Sequence, residues 1–189
     1  MNFIEKSVTQ ERISIIKEDV TRKIMSEGWG KQGRNVDVKI KNFTHCWVTE
    51  HAFKDILIDR GIWFRNRGQY VGDSQGAGAD FIVKIEGKEV SVGLRSVAEK
   101  SLTMWKSVAY PDDRFREEQD KIGDYHIVCH NKDGVVRFYG IISKNRLLEC
   151  MGNVVRKYSP LNQEYFRTIP LDEFKFDLLS VLLEKMEKV

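Results

Sequence analysis

The sequence predicts an α/β protein with a central mixed β-sheet of about five strands flanked by helices. Phe81, Val83 and Ile85, then Val90, Val92 and Leu94, are apolar at alternate positions around Glu86-Gly87, the pattern of a hairpin with one buried face. A second alternating pair, residues 124–130 and 135–142, flanks the polar turn Asn131-Lys132-Asp133-Gly134. Ile13, Ile16, Val20 and Ile24 recur at helical spacing, as do Phe174, Leu178, Leu182 and Met186.

Taken in order, Ser7 with Gln10 fits a helix-start capping box, and Gly28 stops that first helix. Residues 28–33 read as a loop, and Val36, Val38 and Ile40 as a short strand. Thr49 is the expected N-cap of a helix ending at Gly61, with Val48 and Phe53 as its hydrophobic staple. Phe53, Ile56, Leu57 and Arg60 share a face with Glu50. Glu50 then either favours the helix dipole in the first turn or points inward toward the hairpin. A strand begins at Ile62-Trp63-Phe64, and the Gly- and Ser-rich run 68–78 is a loop delivering the chain to Asp80. A helix from Ser96 to about Val108 turns Leu102 and Trp105 inward. Arg114 to Lys121 forms a helical turn or two with an exposed, mixed-charge face. Ser143 caps a short helix carrying Leu147, Leu148 and Met151, residues 152–164 are irregular, and residues 167–169 are extended.

With 189 residues, 41% apolar and 31% charged, the chain fits one soluble domain over 1–189. Its core would span about 47–142, with an N-terminal helix at 8–27 and a C-terminal helix at 171–188 as additions. The 31 basic residues stand against 28 acidic ones, so a net charge of +3 permits an anionic partner without demanding one. Cys46, Cys129 and Cys150 are too few and too scattered for a disulfide framework or a thiolate zinc site. Without an apolar run of membrane-spanning length or a signal peptide at the N-terminus, a cytoplasmic protein with free thiols is expected.

Chemistry concentrates on the polar face of the hairpin: Asp80, Lys84, Glu89, Ser91 and Arg95. A turn centred on Glu86-Gly87 sets Lys84 against Glu89, Ile82 against Ser91 and Asp80 against Gly93. In that register Glu89 lies roughly three residues, or ~10 Å, from Asp80 along the strand. Arg65, Arg67, Arg95, Lys100 and Lys106 are the basic residues nearest the hairpin, suited to a phosphate backbone, with Trp63, Tyr70 and Trp105 as stacking surfaces. His126 and His130 share a strand face but stand ~13 Å apart, too far to share a metal. His45 could reach a site from its place before the helix. Glycines 76 and 78 lack the Lys-Ser/Thr that completes a phosphate loop.

This order of elements, with Glu50 on a helix and Ala79-Asp80 at the head of a strand, resembles the restriction-endonuclease-like, or PD-(D/E)XK, nuclease superfamily over roughly residues 47–142. The resemblance implies a site in which Glu50 and Asp80 hold Mg²⁺, with Mn²⁺ able to substitute, and a phosphodiester bond of DNA is cut by metal-assisted hydrolysis. The acid-x-lysine motif of the following strand is degenerate: Glu89-Val90-Ser91 has serine for lysine, and Ser91, Gly93 and Arg95 lie nearest Asp80. Three readings stay open. An active nuclease would use Asp80 and Glu50, with Glu89 or Ser91 as a further ligand and Arg95 or Lys84 in place of lysine. An inactive member would keep the fold to bind nucleic acid or a protein. In the third, the likeness is accidental and Lys84–Glu89 is a surface pair. The expected catalytic set is Asp80, Glu50, Glu89, Ser91 and Arg95, and the expected nucleic-acid contacts are Arg65, Arg67, Lys100 and Lys106. DNA is the expected partner, a membrane is not, and the terminal helices allow a homodimer.

Overall fold

The computed structural model describes residues 2–27, 35–67, 79–160 and 164–189. The expected loops at 28–33 and 68–78, with Tyr70 and glycines 76 and 78, lie largely outside them.

A strand β1 (Ile4–Ser7) precedes helix α1 (Gln10–Glu27) and the long helix α2 (Val36–Asp59). Strands β2 (Phe64–Asn66), β3 (Phe81–Ile85) and β4 (Lys88–Ser96) follow. Next come α3 (Glu99–Thr103), β5 (Ser107–Pro111), α4 (Asp112–Arg116) and a 3₁₀ turn at Gln119–Lys121. β6 (Tyr125–Lys132), β7 (Val135–Ser143), α5 (Lys144–Gly152), β8 (Lys157–Ser159), β9 (Glu164–Pro170) and α6 (Phe176–Lys185) complete the chain.

The α/β class holds, but among the described residues the central sheet has six strands, in the order β1-β7-β6-β4-β3-β2, and a separate three-stranded sheet runs β5-β9-β8. Of the central pairings only β4–β6 is parallel. The crossover between those two strands contains α3, β5 and α4, so it places β5 and the start of α4 beside the end of the sheet where Asp80 sits. One face of the central sheet packs on α1, α2 and α6 through Ile16, Val20, Trp47, Phe53, Phe81, Val92, Phe138 and Leu179. The other packs on the small sheet and α5 through Val108, Tyr110, Val128, Leu147, Met151 and Ile169. Each such side chain, fully buried, contributes about 1.5–3 kcal/mol of transfer free energy.

Several expectations are corrected. The run Val36–Ile40 is the first part of α2 and not a strand, because Asn35 caps the helix there, its Oδ1 accepting the Asp37 amide N–H at 2.9 Å. Thr49 is therefore inside the helix, donating its hydroxyl to the His45 carbonyl at 2.9 Å, and Val48 and Phe53 are both core residues. The stop at Gly61, with φ +64°, stands. α1 begins at Gln10, capped by Thr9, whose Oγ1 accepts Arg12 N–H at 3.3 Å, while Ser7 closes the edge strand β1.

The expected helix through Val108 is cut to five residues, α3, and its sequel is strand β5, so Trp105 is 60% exposed while Leu102 is buried. Residues 171–173 form a 3₁₀ turn, and α6 buries Leu179, Leu182 and Leu183, leaving Leu178 exposed. β7 carries a register shift beside Val128/Cys129, which leaves Tyr139 without a paired partner and moves Ile141 to the Phe138 face. The hairpin register is as expected: Lys84 faces Glu89 and Ile82 faces Ser91. All three cysteines are free, and among the described residues no helix is long and apolar enough to cross a membrane.

Candidate functional site

Asp80 stands just ahead of β3, where the β2–β3–β4 ladder opens. Its backbone carbonyl accepts the Arg67 N–H at 3.0 Å, continuing the pairing of β2 with β3. Its Oδ2 accepts the Leu94 amide N–H of β4 at 2.6 Å. Its Oδ1 faces the Arg67 guanidinium at 3.5 Å, both side chains being largely buried. Asp80 is thus steered by strand pairing into the molecule and already holds a protein cation.

Glu50 lies near enough to Asp80 to feel its charge. Glu50 lies in the middle of α2, so the helix-dipole account fails on position alone. Burial first, and then the nearby Asp80 carboxylate, push its carboxyl up to about 8, with Arg67 acting in the opposite sense. The shift favours the protonated form of Glu50.

A cleft of about 220 Å³ opens beside Asp80, lined by Arg67, Arg95, Arg114, Lys121, Tyr110 and His126 among others. Gly93 forms part of its floor. A Cβ there would meet His126 Cε1 and Nδ1 at 3.2 Å, so the imidazole of β6 occupies the space in which a side chain opposite Asp80 would stand. Burial, then the cations Arg95, Arg114 and Lys144, lower the His126 pKa to about 4, which leaves the ring neutral. Its Nε2 and the Tyr110 hydroxyl are both buried without a hydrogen-bond partner among the described residues. Unpaired buried polar atoms cost about 1–3 kcal/mol each, and two of them lining one cleft mark it as a place where a ligand can complete the bonding. Arg95 lies over the Tyr110 ring at 5.2 Å and donates to the Ala109 carbonyl.

Of the expected catalytic set, Asp80 and Glu50 are brought together and Arg95 reaches the same cleft. Glu89 and Ser91 are not. Glu89 pairs with Arg65 at 3.0 Å on the exposed face of the hairpin. Ser91 is engaged by Asp124: its hydroxyl donates to the carboxylate at 2.7 Å and accepts the Asp124 N–H at 2.8 Å. Lys84 is turned over the Trp63 ring at 4.4 Å. Of the expected nucleic-acid contacts Arg67 lines the cleft, Arg65 lies outside its lining, further along the same sheet face with Glu89, and Lys100 and Lys106 are exposed around α3.

Arg114, Lys121 and His126 were not singled out for this cleft. Gly123 lies beside them: a Cβ there would meet Ala79 Cβ at 3.0 Å and the Ser91 carbonyl at 3.3 Å, so the chain between α4 and β6 passes directly over the head of the hairpin.

The fit to a divalent metal is incomplete. Among the described residues no group of three or more His, Cys, Asp or Glu is placed to hold an ion. Glu50 is shifted toward its protonated form, Arg67 stands at Asp80, and the position opposite Asp80 is glycine. A hard cation needs six or more oxygens at about 2.0–2.6 Å, and two carboxyls so engaged are a poor start. Comparison with protein-family models, with curated proteins and with solved structures gave no match.

Proposed function

We propose that this protein binds nucleic acid, DNA in the first instance, through the cleft beside Asp80, on an architecture related to the nuclease superfamily it resembles but without metal-dependent cleavage as its main activity. The observation that carries this is the charge lining the cleft. Arg67, Arg95, Arg114 and Lys121 bring four cations, against Asp80 in the lining and Glu118, which bridges Arg114 at 3.3 Å and Lys121 at 2.6 Å. His126 is neutral, Glu50 is shifted toward its neutral form, and among the described residues Arg95 has no carboxylate partner. The balance is positive, with two unpaired polar atoms at its base, which suits a phosphodiester and its ester oxygens. The kinship is supported by the helix acid Glu50 lying near the strand-head acid Asp80, and by the hairpin register that sets the degenerate motif on β4.

Binding of labelled DNA over a range of salt concentrations tests the reading. Each phosphate contact contributes a slope of about −0.9 in log K against log salt for duplex DNA and about −0.7 for single strands. Arg114→Ala with Lys121→Ala is expected to flatten that slope and weaken binding. Wild-type binding that ignores salt would dispose of the cleft as a phosphate site.

Nuclease activity is the second reading, favoured by one observation: two carboxyls on different elements lie close enough for Asp80 to raise Glu50. Nicking of plasmid DNA by wild type with Mg²⁺ or Mn²⁺, lost in Asp80→Asn, would establish it.

A further inference from the structure

A second cavity, of about 560 Å³, adjoins the first, and Arg95, Tyr110 and Pro111 line both. Its floor is the outward face of the small sheet. β5–β9 pairing sets Ser107, Ala109 and Pro111 against Pro170, Thr168 and Phe166, so the floor is flat and built mainly from small side chains. Its wall is Trp105, a residue 60% exposed; Met104, 68% exposed, precedes it in the chain outside the cavity lining. Large apolar side chains turned outward at the edge of a cavity point to a partner.

Trp105 is held there by backbone geometry. Lys106, which follows it, has φ +49°, a left-handed conformation costly for a residue with a Cβ, and its carbonyl is tied to the Leu171 N–H at 2.8 Å. The chain turns at that point from α3 into β5, leaving the indole over the cavity and not in the core.

A slot with an apolar side (Trp105, Ala109, Pro111, Phe166), hydroxyl-bearing neighbours (Ser101, Ser107, Thr168) and the charged groups Arg95, Lys157 and Glu164 in its lining has the makings of a base-binding site. Bases present a π face for stacking and a polar edge for hydroxyls, and the adjoining cationic cleft supplies the place for the attached phosphate.

We infer that the larger cavity is a subsite for an unpaired nucleobase of the bound strand, stacked on Trp105, with the neighbouring phosphate held by Arg95 in the Asp80 cleft. This rests on the nucleic-acid reading above and narrows it to single-stranded or locally unpaired nucleic acid. A base already stacked within a duplex cannot offer its face to the indole.

The test compares wild type, Trp105→Ala and Trp105→Phe for binding to a short single-stranded DNA, an RNA of the same sequence and the matching DNA duplex, with tryptophan emission followed in the same titrations. Trp105 is exposed, so the variants should melt as wild type does. Loss of one stacking contact is expected to weaken single-strand binding of Trp105→Ala roughly 10-fold, with phenylalanine restoring most of it, duplex binding little changed and the salt slope intact. Wild-type emission should be quenched by single strands and not in Trp105→Phe. The DNA and RNA arms identify which strand is taken, and this pattern in either one sustains the inference. Salt-dependent binding by wild type with an unaffected Trp105→Ala overturns the subsite and leaves the cleft standing. No salt-dependent binding in any arm overturns both.

Discussion

The His126 imidazole stands against Gly93, close enough that a Cβ on that glycine would come within 3.2 Å of two ring atoms. The two residues are register partners on the parallel strands β4 and β6. Opposite Asp80 this chain has a bare backbone roofed by a neutral ring.

Gly93→Ala should therefore destabilise the protein by about 1–2 kcal/mol, the typical cost of overpacking a tight site. In a His126→Ala background the same substitution should cost little, because the atoms it collides with are gone. Urea unfolding of the four proteins measures the coupling. Equal costs in both backgrounds would show that the ring does not set the constraint.

Stability should carry the signature of Glu50. Its pKa is raised from 4.5 to about 8 in the folded protein, by burial and then by Asp80. Through that window the native state holds a proton that the unfolded chain has released, so stability falls as pH rises and levels off above the folded value. The slope should approach on the order of 1 kcal/mol per pH unit. Buried histidines such as His126 titrate in the opposite sense, native binding fewer protons, and are common to both proteins. The difference between wild type and Glu50→Gln over about pH 5–9 isolates the carboxyl. A difference that does not change with pH would mean that Glu50 is not held protonated.

Asp80→Asn should strengthen DNA binding several-fold. The amide oxygen can still accept the Leu94 N–H, while Arg67 loses its counter-ion and turns to phosphate, steepening the salt slope by up to about 0.9. Weaker binding together with lost plasmid nicking is the result that would favour an active nuclease.

Asp112 follows Pro111, which lines both cavities. It is fully buried, pairing with Arg167 at 2.5 Å, Arg116 at 2.8 Å and Arg156 at 3.5 Å. Burial raises its pKa, but the Arg167 and Arg116 guanidinium groups outweigh that and hold its carboxyl below the ordinary range. Arg167 also donates to the Met151 and Val154 carbonyls, so the cluster ties α4, β9 and the end of α5 together. Asp112→Asn leaves buried guanidinium charge uncompensated and should cost roughly 3 kcal/mol in thermal or urea unfolding. A loss below about 1 kcal/mol would mark the cluster as surface-like.

How much of this was legible in the chain divides along physical lines. Alternation and the Glu86-Gly87 turn sufficed for the β3–β4 register, because a one-residue slip would have exposed Phe81, Val83 and Val92. The helical stripe of α1 was equally plain. Val36–Ile40 misled because three alternating apolar residues fit a strand, while the Asn35 cap and the continuing stripe to Leu57 needed a longer window. Trp105 misled because an indole is usually core, and only the left-handed turn at Lys106 takes it out.

By itself the sequence determined the class of fold and the central hairpin, since those depend on local periodicity, while Glu50 and Asp80 were candidates as a pair through the resemblance alone. Tertiary structure alone decided that Arg67 stands at Asp80, that Glu89 and Ser91 are engaged elsewhere, and that Arg114, Lys121 and His126 converge on one cleft with Trp105 nearby. Those outcomes turn on a crossover that carries β5 and α4 back over the sheet, and contacts between residues so distant in the chain leave no periodic trace in it.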